Sequence, residues 1–333
     1  MCDDDGKAGW RPRASLQVLQ LRAQVLHYIR QFFQMRQVLE VETPLLCSAS
    51  NPDPHIESFT TVFIGPQAAQ GVNLYLQSSP EFAMKRLLSA GIGPVYQICK
   101  AFRQGEHGRQ HNPEFTILEW YRPGFDVTTL IAEIEALLLG LFTAANKSLG
   151  KTQIISYQQA FESVLGLDPL VAPVAELIGC TKEQGIDVRG LSNQERDAWL
   201  DLLMSHTVQP RLGQNHMTFV TNYPVSQAAL ACVNPVDGRT AERFELFING
   251  VELANGFHEL SNADEQRHRF EKDLQLRAQS HQPPPPIDKY LLQALEYGLP
   301  DCSGVAVGLD RVIMLLAEVD SIGEVLAFPM GRI

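Results

Sequence analysis

The spacing of apolar residues predicts most of the secondary structure. Between Ser15 and about Val38 apolar side chains recur at helical spacing, which predicts an amphipathic helix with Ser15 as its N-cap. Short or alternating apolar runs bounded by turn residues predict strands at 58–64, 73–77, 95–102, 115–121, 217–222 and 243–254. Longer periodic segments predict further helices at 82–90, 128–149, 267–279, 288–297 and 311–316, the last after a strand that begins at 304.

Strands joined by polar hairpins, with helices around them, predict an α+β fold on an antiparallel β-sheet flanked by helices. The polar stretch 104–113 between two predicted strands is typical of a long hairpin loop. We expect residues 1–14 to form a flexible tail and 15–333 a single domain. Within that domain, 150–215 carries short helical patterns and no recognisable chemistry.

Composition and charge narrow the class of protein. The 333 residues are 45% hydrophobic and 20% charged, which is ordinary for a globular protein. The net charge of −11 argues against a general nucleic-acid binder, because phosphate contacts need a basic surface, although a local basic groove remains compatible with it.

The cysteines and the apolar runs bear on the compartment. Six cysteines without a CxxC pair or zinc-ligand spacing favour reduced, mostly buried thiols in a cytoplasmic protein. The acidic N-terminus lacks the apolar segment of a signal peptide. The richest apolar run, Leu137–Phe142, is too short to span a membrane, so no membrane partner is expected.

The segment 243–256 carries the strongest signal for chemistry. Asn249-Gly250 between two alternating runs predicts a two-residue hairpin turn. The predicted pairs are Ile248–Val251, Phe247–Glu252 and Glu245–Ala254. In this register Glu245 and Glu252 are diagonal neighbours on one face, roughly 7–8 Å apart. The other face is apolar and consists of Phe244, Leu246, Ile248, Val251 and Leu253.

Two close carboxylates repel each other unless a cation lies between them. A magnesium ion that carries nucleotide phosphates fits Glu245 and Glu252, because Mg²⁺ takes one or two carboxylates, water and phosphate oxygens. A solvated pair on an exposed sheet face is the alternative. The neighbouring polar residues Asn255 and Glu259 favour the site.

Three segments resemble the motifs of class II aminoacyl-tRNA synthetases, in the order that those enzymes have them. Val41–Pro44 resembles motif 1, Phe102–Tyr121 resembles motif 2 of lysyl-tRNA synthetases, and Gly304–Arg311 resembles motif 3. The resemblance covers most of 15–333 and is weakest over 150–215. It implies a class II synthetase catalytic core and a homodimer, with the first predicted helix near the interface.

Lysyl-tRNA synthetases carry an anticodon-binding domain before this core, and the chain is expected to lack one. A stand-alone core resembles the lysyl-tRNA synthetase paralogues that attach β-lysine to a lysine of elongation factor P. That resemblance implies activation of lysine or (R)-β-lysine with ATP and transfer to elongation factor P, with no tRNA partner. Two alternatives stay open: a minimal enzyme that charges tRNA, and a non-catalytic sensor of amino acids.

The resemblance also implies roles for individual residues. Arg103 is expected to bind the α-phosphate and the substrate carboxylate, Glu245 and Glu252 to hold Mg²⁺, and Phe115 and Arg311 to stack on adenine. These four charged residues would be catalytic, and they argue against a sensor. The nucleotide pocket is further expected to contain Gln104, Gly105, Glu106, His111, Asn112, Leu246 and Gly308. The pocket for the lysine-like substrate is expected to contain Ser79, Pro80, Glu81, Glu119, Tyr121, Glu252, Asn255, Glu259 and Ala306.

Two positions depart from the family pattern. Motif 2 usually reads Arg-x-Glu, whereas Arg103-Gln104-Gly105-Glu106 places the glutamate one residue later. Ala306 stands where lysyl-tRNA synthetases usually have glycine. We expect its methyl group to disfavour α-lysine and to suit an isomer with a displaced amine.

Overall fold

The computed structural model describes residues 9–66, 68–188, 190–192, 195–280 and 282–333. The helices are α1 (Leu16–Met35), α2 (Glu81–Ser89), α3 (Val127–Ala144), α4 (Tyr157–Leu165), α5 (Val174–Glu183), α6 (Arg196–Leu203), α7 (Ala263–Gln279), α8 (Lys289–Gly298) and α9 (Leu309–Ala317). The strands are β1 (Leu39–Glu40), β2 (Leu46–Cys47), β3 (Thr60–Gly65), β4 (Ala68–Leu76), β5 (Val95–Phe102), β6 (Glu114–Pro123), β7 (Gln153–Ser156), β8 (Thr218–Pro224), β9 (Thr240–Ile248), β10 (Val251–His258) and β11 (Cys302–Gly308).

The described residues fall into two compact units. Unit 1 combines the chain up to Pro123 with Ser261–Pro300 and Val307–Ile333, and unit 2 consists of Gly124–Leu260 and Asp301–Ala306. The predicted single domain from residue 15 onward stays a prediction. Residues 1–8 of the predicted tail lie outside the described residues. Arg13 and Ala14, which the sequence places in that tail, donate main-chain hydrogen bonds to the carbonyls of Ala327 and Leu326.

Unit 1 is built around the antiparallel β5–β6 hairpin. β1 pairs with β5 in parallel, β5 pairs with β6 in antiparallel fashion, and a second small antiparallel sheet has the order β2-β4-β3. Phe33 of α1 stacks on Tyr96 of β5 at 4.4 Å between ring centroids and meets Trp120 of β6 edge-on at 5.3 Å. All three rings are buried, so aromatic contacts fasten the first helix to this hairpin.

Unit 2 has the strand order β11-β10-β9-β8-β7, in which β7 and β8 are parallel and β8, β9 and β10 are antiparallel. Helices α4, α5 and α6 supply a buried apolar cluster that includes Phe161, Leu177 and Leu200. Tyr223 of β8 and Phe247 of β9 belong to the same cluster. The described part of 150–215 therefore belongs to unit 2, where strand β7 joins the sheet and the helices form a packed layer. Antiparallel pairs dominate in both units, and the predicted α+β fold class is confirmed.

Helix α3 corrects one expectation about apolar segments. Among the described residues it is the one helix long and apolar enough to cross a membrane, so the prediction that no segment approaches that length was wrong. Eight of its residues are nevertheless buried within the protein, Glu133 among them, and it packs on β9 and β10. This burial is the pattern of a core helix in a globular protein.

The β9–β10 hairpin has the predicted turn. Asn249 and Gly250 both adopt positive φ, 51° and 73°, as a type I′ turn requires. The pairs next to the turn are also as predicted: Val251–Ile248 and Glu252–Phe247. All five side chains of the predicted apolar face are buried.

Beyond Glu252 the register differs from the prediction. A β-bulge between Glu252 and Ala254 makes Leu253 an extra residue, so Asn255 rather than Ala254 pairs with Glu245. The predicted Glu245–Ala254 pair was therefore wrong. Leu253 and Ala254 are each 2% exposed, and the bulge allows two successive apolar side chains to be buried. As a consequence the amide of Asn255 lies on the same face of the hairpin as Glu245.

Candidate active site

Arg103 lies at the end of β5 with part of its guanidinium unused. Its Nη1 donates to Oε1 of Glu106 at 3.5 Å, and its Cζ lies 5.1 Å from the ring centroid of Phe115. The Nε atom is buried and has no hydrogen-bond partner among the described residues. Buried polar groups are rarely left in this state, because an unmet donor costs about 1–3 kcal/mol. The arrangement fits an anionic ligand at Arg103.

The shifted glutamate of motif 2 still reaches this arginine. Gly105 has φ of +83°, in the left-handed region that favours glycine, and the turn there carries Glu106 back to Arg103. The main-chain N–H of Gln104 donates to the carbonyl of Glu57 at 2.8 Å. The extra residue is thus absorbed in the turn.

Arg311, in the first turn of α9, contacts the motif 2 loop. Its Nη2 lies 2.7 Å from Nε2 of His111, and its Nε donates to the carbonyl of Gln110. The structure therefore brings Arg311 and His111 together, as predicted for the nucleotide pocket. The stacking of Phe115 and Arg311 on adenine stays a prediction.

Asp310, which the sequence analysis did not single out, fixes the start of α9. It is 1% exposed, pairs with Arg22 of α1, and accepts a hydrogen bond of 2.7 Å from the main-chain N–H of Thr116 in β6. Thr116 directly follows Phe115. This carboxylate therefore links the start of α9, where Arg311 follows Asp310, to the part of β6 where Phe115 precedes Thr116.

Asn112 has structural contacts in addition to its predicted role in the nucleotide pocket. The amide of Asn112 donates to the carbonyl of Glu114 at 2.6 Å and accepts from the main-chain N–H of Met330 at 2.9 Å. Gly308 is the residue before the first turn of α9 and is half-buried. Their contacts with a nucleotide stay predictions.

Glu119 forms the centre of the predicted substrate pocket in unit 1. Its carboxylate is 1% exposed and accepts hydrogen bonds of 2.7 Å from the hydroxyls of Ser79 and Tyr121, one on each oxygen. Burial, together with the charge of Glu119, raises the pKa of the nearby Cys99 thiol to about 12. The structure thus brings together three residues that the sequence assigned to one pocket, and we call them the Glu119 centre.

The second acidic residue of this pocket is already neutralised. Oε1 of Glu81 accepts a hydrogen bond of 2.7 Å from Nζ of Lys85, which lies one helical turn later and is 1% exposed. Pro80 precedes α2, and the main-chain N–H of Glu81 donates to the Ser79 hydroxyl. Ser79 therefore connects the start of α2 with Glu119.

In unit 2, Glu245 has a donor on each carboxylate oxygen. Oε1 accepts from Nη2 of Arg243 at 2.5 Å, and Oε2 accepts from the hydroxyl of Tyr223 at 2.7 Å. Burial raises the pKa of Glu245, Arg243 opposes this increase, and the negative charge of Glu252 adds to it. The two glutamates are thus electrostatic neighbours, as the sequence predicted.

Arg243 also reaches the predicted substrate residue Asn255. Its Nε donates to Oδ1 of Asn255 at 3.3 Å, and its Nη1 donates to the carbonyl of Gln227 at 2.6 Å. Sequence reasoning missed Arg243 and Tyr223. The signal for Arg243 was present, because it precedes Glu245 by two residues and strand residues two apart share a face.

The remaining predicted residues of unit 2 differ in exposure. Glu259 is 4% exposed, Ala306 of β11 is half-buried, and Leu246 is fully buried. No cluster of three or more His, Cys, Asp or Glu side chains suited to a metal occurs within the described ranges. A metal at Glu245 and Glu252 would therefore need further ligands from water or phosphate.

Comparison with known proteins identifies the class. The family described as class II tRNA synthetases (D, K and N) matches residues 8–332, and the chain belongs to this family. A relative from Pseudoalteromonas translucida, named elongation factor P–(R)-β-lysine ligase, is 50% identical over 323 residues, which are 97% of this chain and 98% of the relative. Proteins of the same name from Photobacterium profundum and Klebsiella pneumoniae are 50% and 49% identical over 96% and 98% of this chain, and 98% of each relative.

Proposed function

We propose that this protein activates (R)-β-lysine with ATP as an aminoacyl-adenylate and transfers it to a lysine side chain of elongation factor P. The Glu119 centre carries the proposal, because a buried carboxylate with two hydroxyls suits an amino acid that bears an extra ammonium group. The names of relatives that match almost the full chain support the same substrate and acceptor.

The first step joins the substrate carboxylate to the α-phosphorus of ATP and releases pyrophosphate. This nucleophile is already ionised at neutral pH, so the step needs no protein base, and catalysis consists of positioning and charge stabilisation. Arg103 would bind the α-phosphate through the donor that has no partner in the described part of the protein. In the second step an uncharged lysine amine attacks the adenylate carbonyl, and an amide forms as AMP and a proton leave.

Glu245 and Glu252 would hold Mg²⁺. The two carboxylates fit a cation because they are neighbours. Burial raises the pKa of Glu245, and the charge of Glu252 contributes to this increase. An ionised carboxylate offers about four lone-pair positions, so the bonds from Arg243 and Tyr223 leave Glu245 able to bind a cation. When bound, magnesium would neutralise charge on the ATP phosphates.

We also propose that the protein is a cytoplasmic homodimer with α1 near the interface. Leu16 and Met35, at the two ends of α1, are 67% and 76% exposed, and Leu39 of β1 is 54% exposed. Large apolar side chains at such exposure favour association. Sedimentation equilibrium measures the mass, and a monomer at micromolar concentration would exclude this assembly.

Pyrophosphate exchange is the first test of function. We expect exchange with (R)-β-lysine that exceeds exchange with α-lysine, followed by transfer of labelled product to purified elongation factor P. Bulk tRNA is the competing acceptor. Label on tRNA would identify a minimal synthetase, and no exchange with either lysine would favour a sensor of amino acids.

A further inference from the structure

The hydroxyl of Tyr223 and the guanidinium of Arg243 hold the Glu245 carboxylate from two sides. The distances are 2.7 Å from the Tyr223 oxygen to Oε2 and 2.5 Å from Nη2 of Arg243 to Oε1. Tyr223 is 3% exposed, and the side chains of Arg243 and Glu245 are 17% and 13% exposed. With one donor on each oxygen, the carboxylate has one orientation that satisfies both bonds.

Packing in turn holds Tyr223 in place. The Cζ of Arg243 lies 4.6 Å from the centroid of the Tyr223 ring, and the ring of Tyr157 lies at 4.8 Å. A tyrosine side chain has two rotatable bonds before its hydroxyl, so a packed ring gives the oxygen a defined position. Packing therefore holds the Tyr223 hydroxyl oxygen in one position beside the Glu245 carboxylate.

Each nitrogen atom of Arg243 has a partner within the protein. Its three nitrogen atoms donate to the carboxylate of Glu245, the carbonyl of Gln227 and the side chain of Asn255. This is unlike Arg103, whose Nε has no partner in the described chain. Arg243 is therefore engaged with both Glu245 and Asn255 and holds these two side chains in place.

We propose that Tyr223 is a positioning residue, whose hydroxyl fixes the Glu245 carboxylate so that its remaining lone pairs point to a divalent cation. The inference rests on the proposed function in assigning the cation to Glu245 and Glu252. Partners of this kind orient metal ligands in proteins, and their loss typically weakens metal binding 10- to 100-fold. Tyr223 itself would not contact the metal or the substrates.

Tyr157 offers a matched control in the same cluster. Its ring is fully buried beside Tyr223, and its hydroxyl has no hydrogen-bond partner in the described part of the chain. Tyr223→Phe and Tyr157→Phe remove the same atom from neighbouring buried rings. One change removes a bond to Glu245 and the other does not, so their difference reports on that bond.

The test is Mn²⁺ binding in the presence of a non-hydrolysable ATP analogue, followed by electron paramagnetic resonance of free Mn²⁺. We expect Tyr223→Phe to raise the Kd for Mn²⁺ by about 10-fold or more, Tyr157→Phe to change it by less than about twofold, and Glu245→Gln to raise it furthest. Equal Kd values in the two tyrosine variants would overturn the inference, as would an unmodified protein that binds no Mn²⁺. Urea unfolding of both variants checks that they fold.

A second measurement separates this inference from the proposed function. The Mg²⁺ concentration that gives half-maximal pyrophosphate exchange should rise in Tyr223→Phe and remain unchanged in Tyr157→Phe. Absence of exchange in the unmodified protein, with the Mn²⁺ difference intact, would refute the proposed function and leave the positioning role standing. Normal exchange with identical metal dependence in both variants would refute the positioning role alone.

Discussion

Oδ2 of Asp310 accepts a hydrogen bond of 2.7 Å from the main-chain N–H of Thr116, which joins the first turn of α9 to β6. The other carboxylate oxygen pairs with Arg22. Asp310 is buried, and each of its carboxylate oxygens accepts from one donor. In the Asp310→Asn variant the side-chain NH2 group would replace one of these oxygens and face the donor that now bonds to it.

We expect Asp310→Asn to lower the free energy of unfolding by on the order of 3 kcal/mol, because a buried ion pair and a charged hydrogen bond are lost together. The KM for ATP should rise more than the KM for lysine, since Arg311 and Phe115 are sequence neighbours of the bonded residues. Urea unfolding and pyrophosphate exchange measure the two effects. Asp320→Asn, at an exposed position, is the control and should change neither quantity.

Glu119→Gln tests the Glu119 centre. The substitution keeps the shape of the side chain and removes the charge, so we expect the KM for β-lysine to rise about 10- to 100-fold while the KM for ATP stays within about threefold. Initial rates of pyrophosphate exchange at varied concentrations of each substrate separate the two constants. Glu162→Gln on the exposed face of α4 is the control. A parallel rise in both constants would assign Glu119 a structural role instead.

Ala306→Gly tests the origin of substrate preference. Removal of one methyl group is worth about 1–3 kcal/mol of discrimination in a close-fitting pocket. We therefore expect the ratio of kcat/KM for β-lysine over α-lysine to fall by about 10-fold. Ala241→Gly, in a buried cluster of small residues in β9, controls for the backbone effect of glycine. An unchanged ratio would show that Ala306 does not select the isomer.

His258 predicts a pH-dependent part of the stability. Its Nδ1 lies 2.5 Å from Glu242 and its Nε2 lies 2.7 Å from Asp301. Burial alone would lower the pKa of His258, but the hydrogen bonds that its ring donates to Asp301 and Glu242, together with their charges, raise it above the ordinary value. Hydrogen bonds from Thr129 lower the pKa of the nearby Asp126 carboxyl, and the charge of His258 adds to this decrease.

Because the folded pKa of His258 is the higher one, its contribution is full below about pH 6.5 and is lost as pH rises through the folded value. We expect the difference in unfolding free energy between the unmodified protein and His258→Gln to be largest near pH 6 and to shrink toward pH 9. Urea titrations at several pH values measure it. A difference independent of pH would contradict the charged pairing.

Asp273 of α7 has the opposite effect at neutral pH. Burial and the charge of Asp53 raise its pKa from 3.8 to about 6, against the influence of Lys272. The folded protein thus holds this proton more tightly than the unfolded chain does, and stability falls as pH rises from 3.8 to about 6. Asp273→Asn should stabilise the protein by roughly 1 kcal/mol at pH 7.5, after a discount for partial exposure, and by less at pH 5. Glu271→Gln, exposed on the same helix, should have no such effect.

The longer elements could be predicted from their periodicity, and their ends could not always be. The predicted helix 128–149 ends at Ala144, because Asn146 adopts φ of 57° and the main-chain N–H of Lys147 bonds back to Phe142. Asparagine tolerates this conformation and can terminate a helix. Strands β1 and β2 have two residues each, too few to show an alternating pattern.

Some residues of the site could be predicted from family motifs, whereas others are brought together by parts of the chain that are distant in sequence. Ser79, Glu119 and Tyr121 were assigned to one pocket from family motifs, and the structure brings them together. The donor Tyr223 was missed, since it lies on a different strand from Glu245 and the β8–β9 pairing brings it within reach. Asp310 was missed for a similar reason, because its two partners lie 194 and 288 residues earlier in the chain.

The bulge at Leu253 changes which residues of β10 lie on each face of the sheet. Before it, Glu252 shares a face with Phe247, and after it Asn255 pairs with Glu245 on that same face. A deletion of Leu253 would restore a regular ladder in which Ala254 still pairs with Leu246 and Asn255 with Glu245, and it would remove one of two consecutive buried apolar side chains. The extra residue therefore adds a buried apolar side chain to β10 and leaves the polar residues on either side of it on the same face of the sheet.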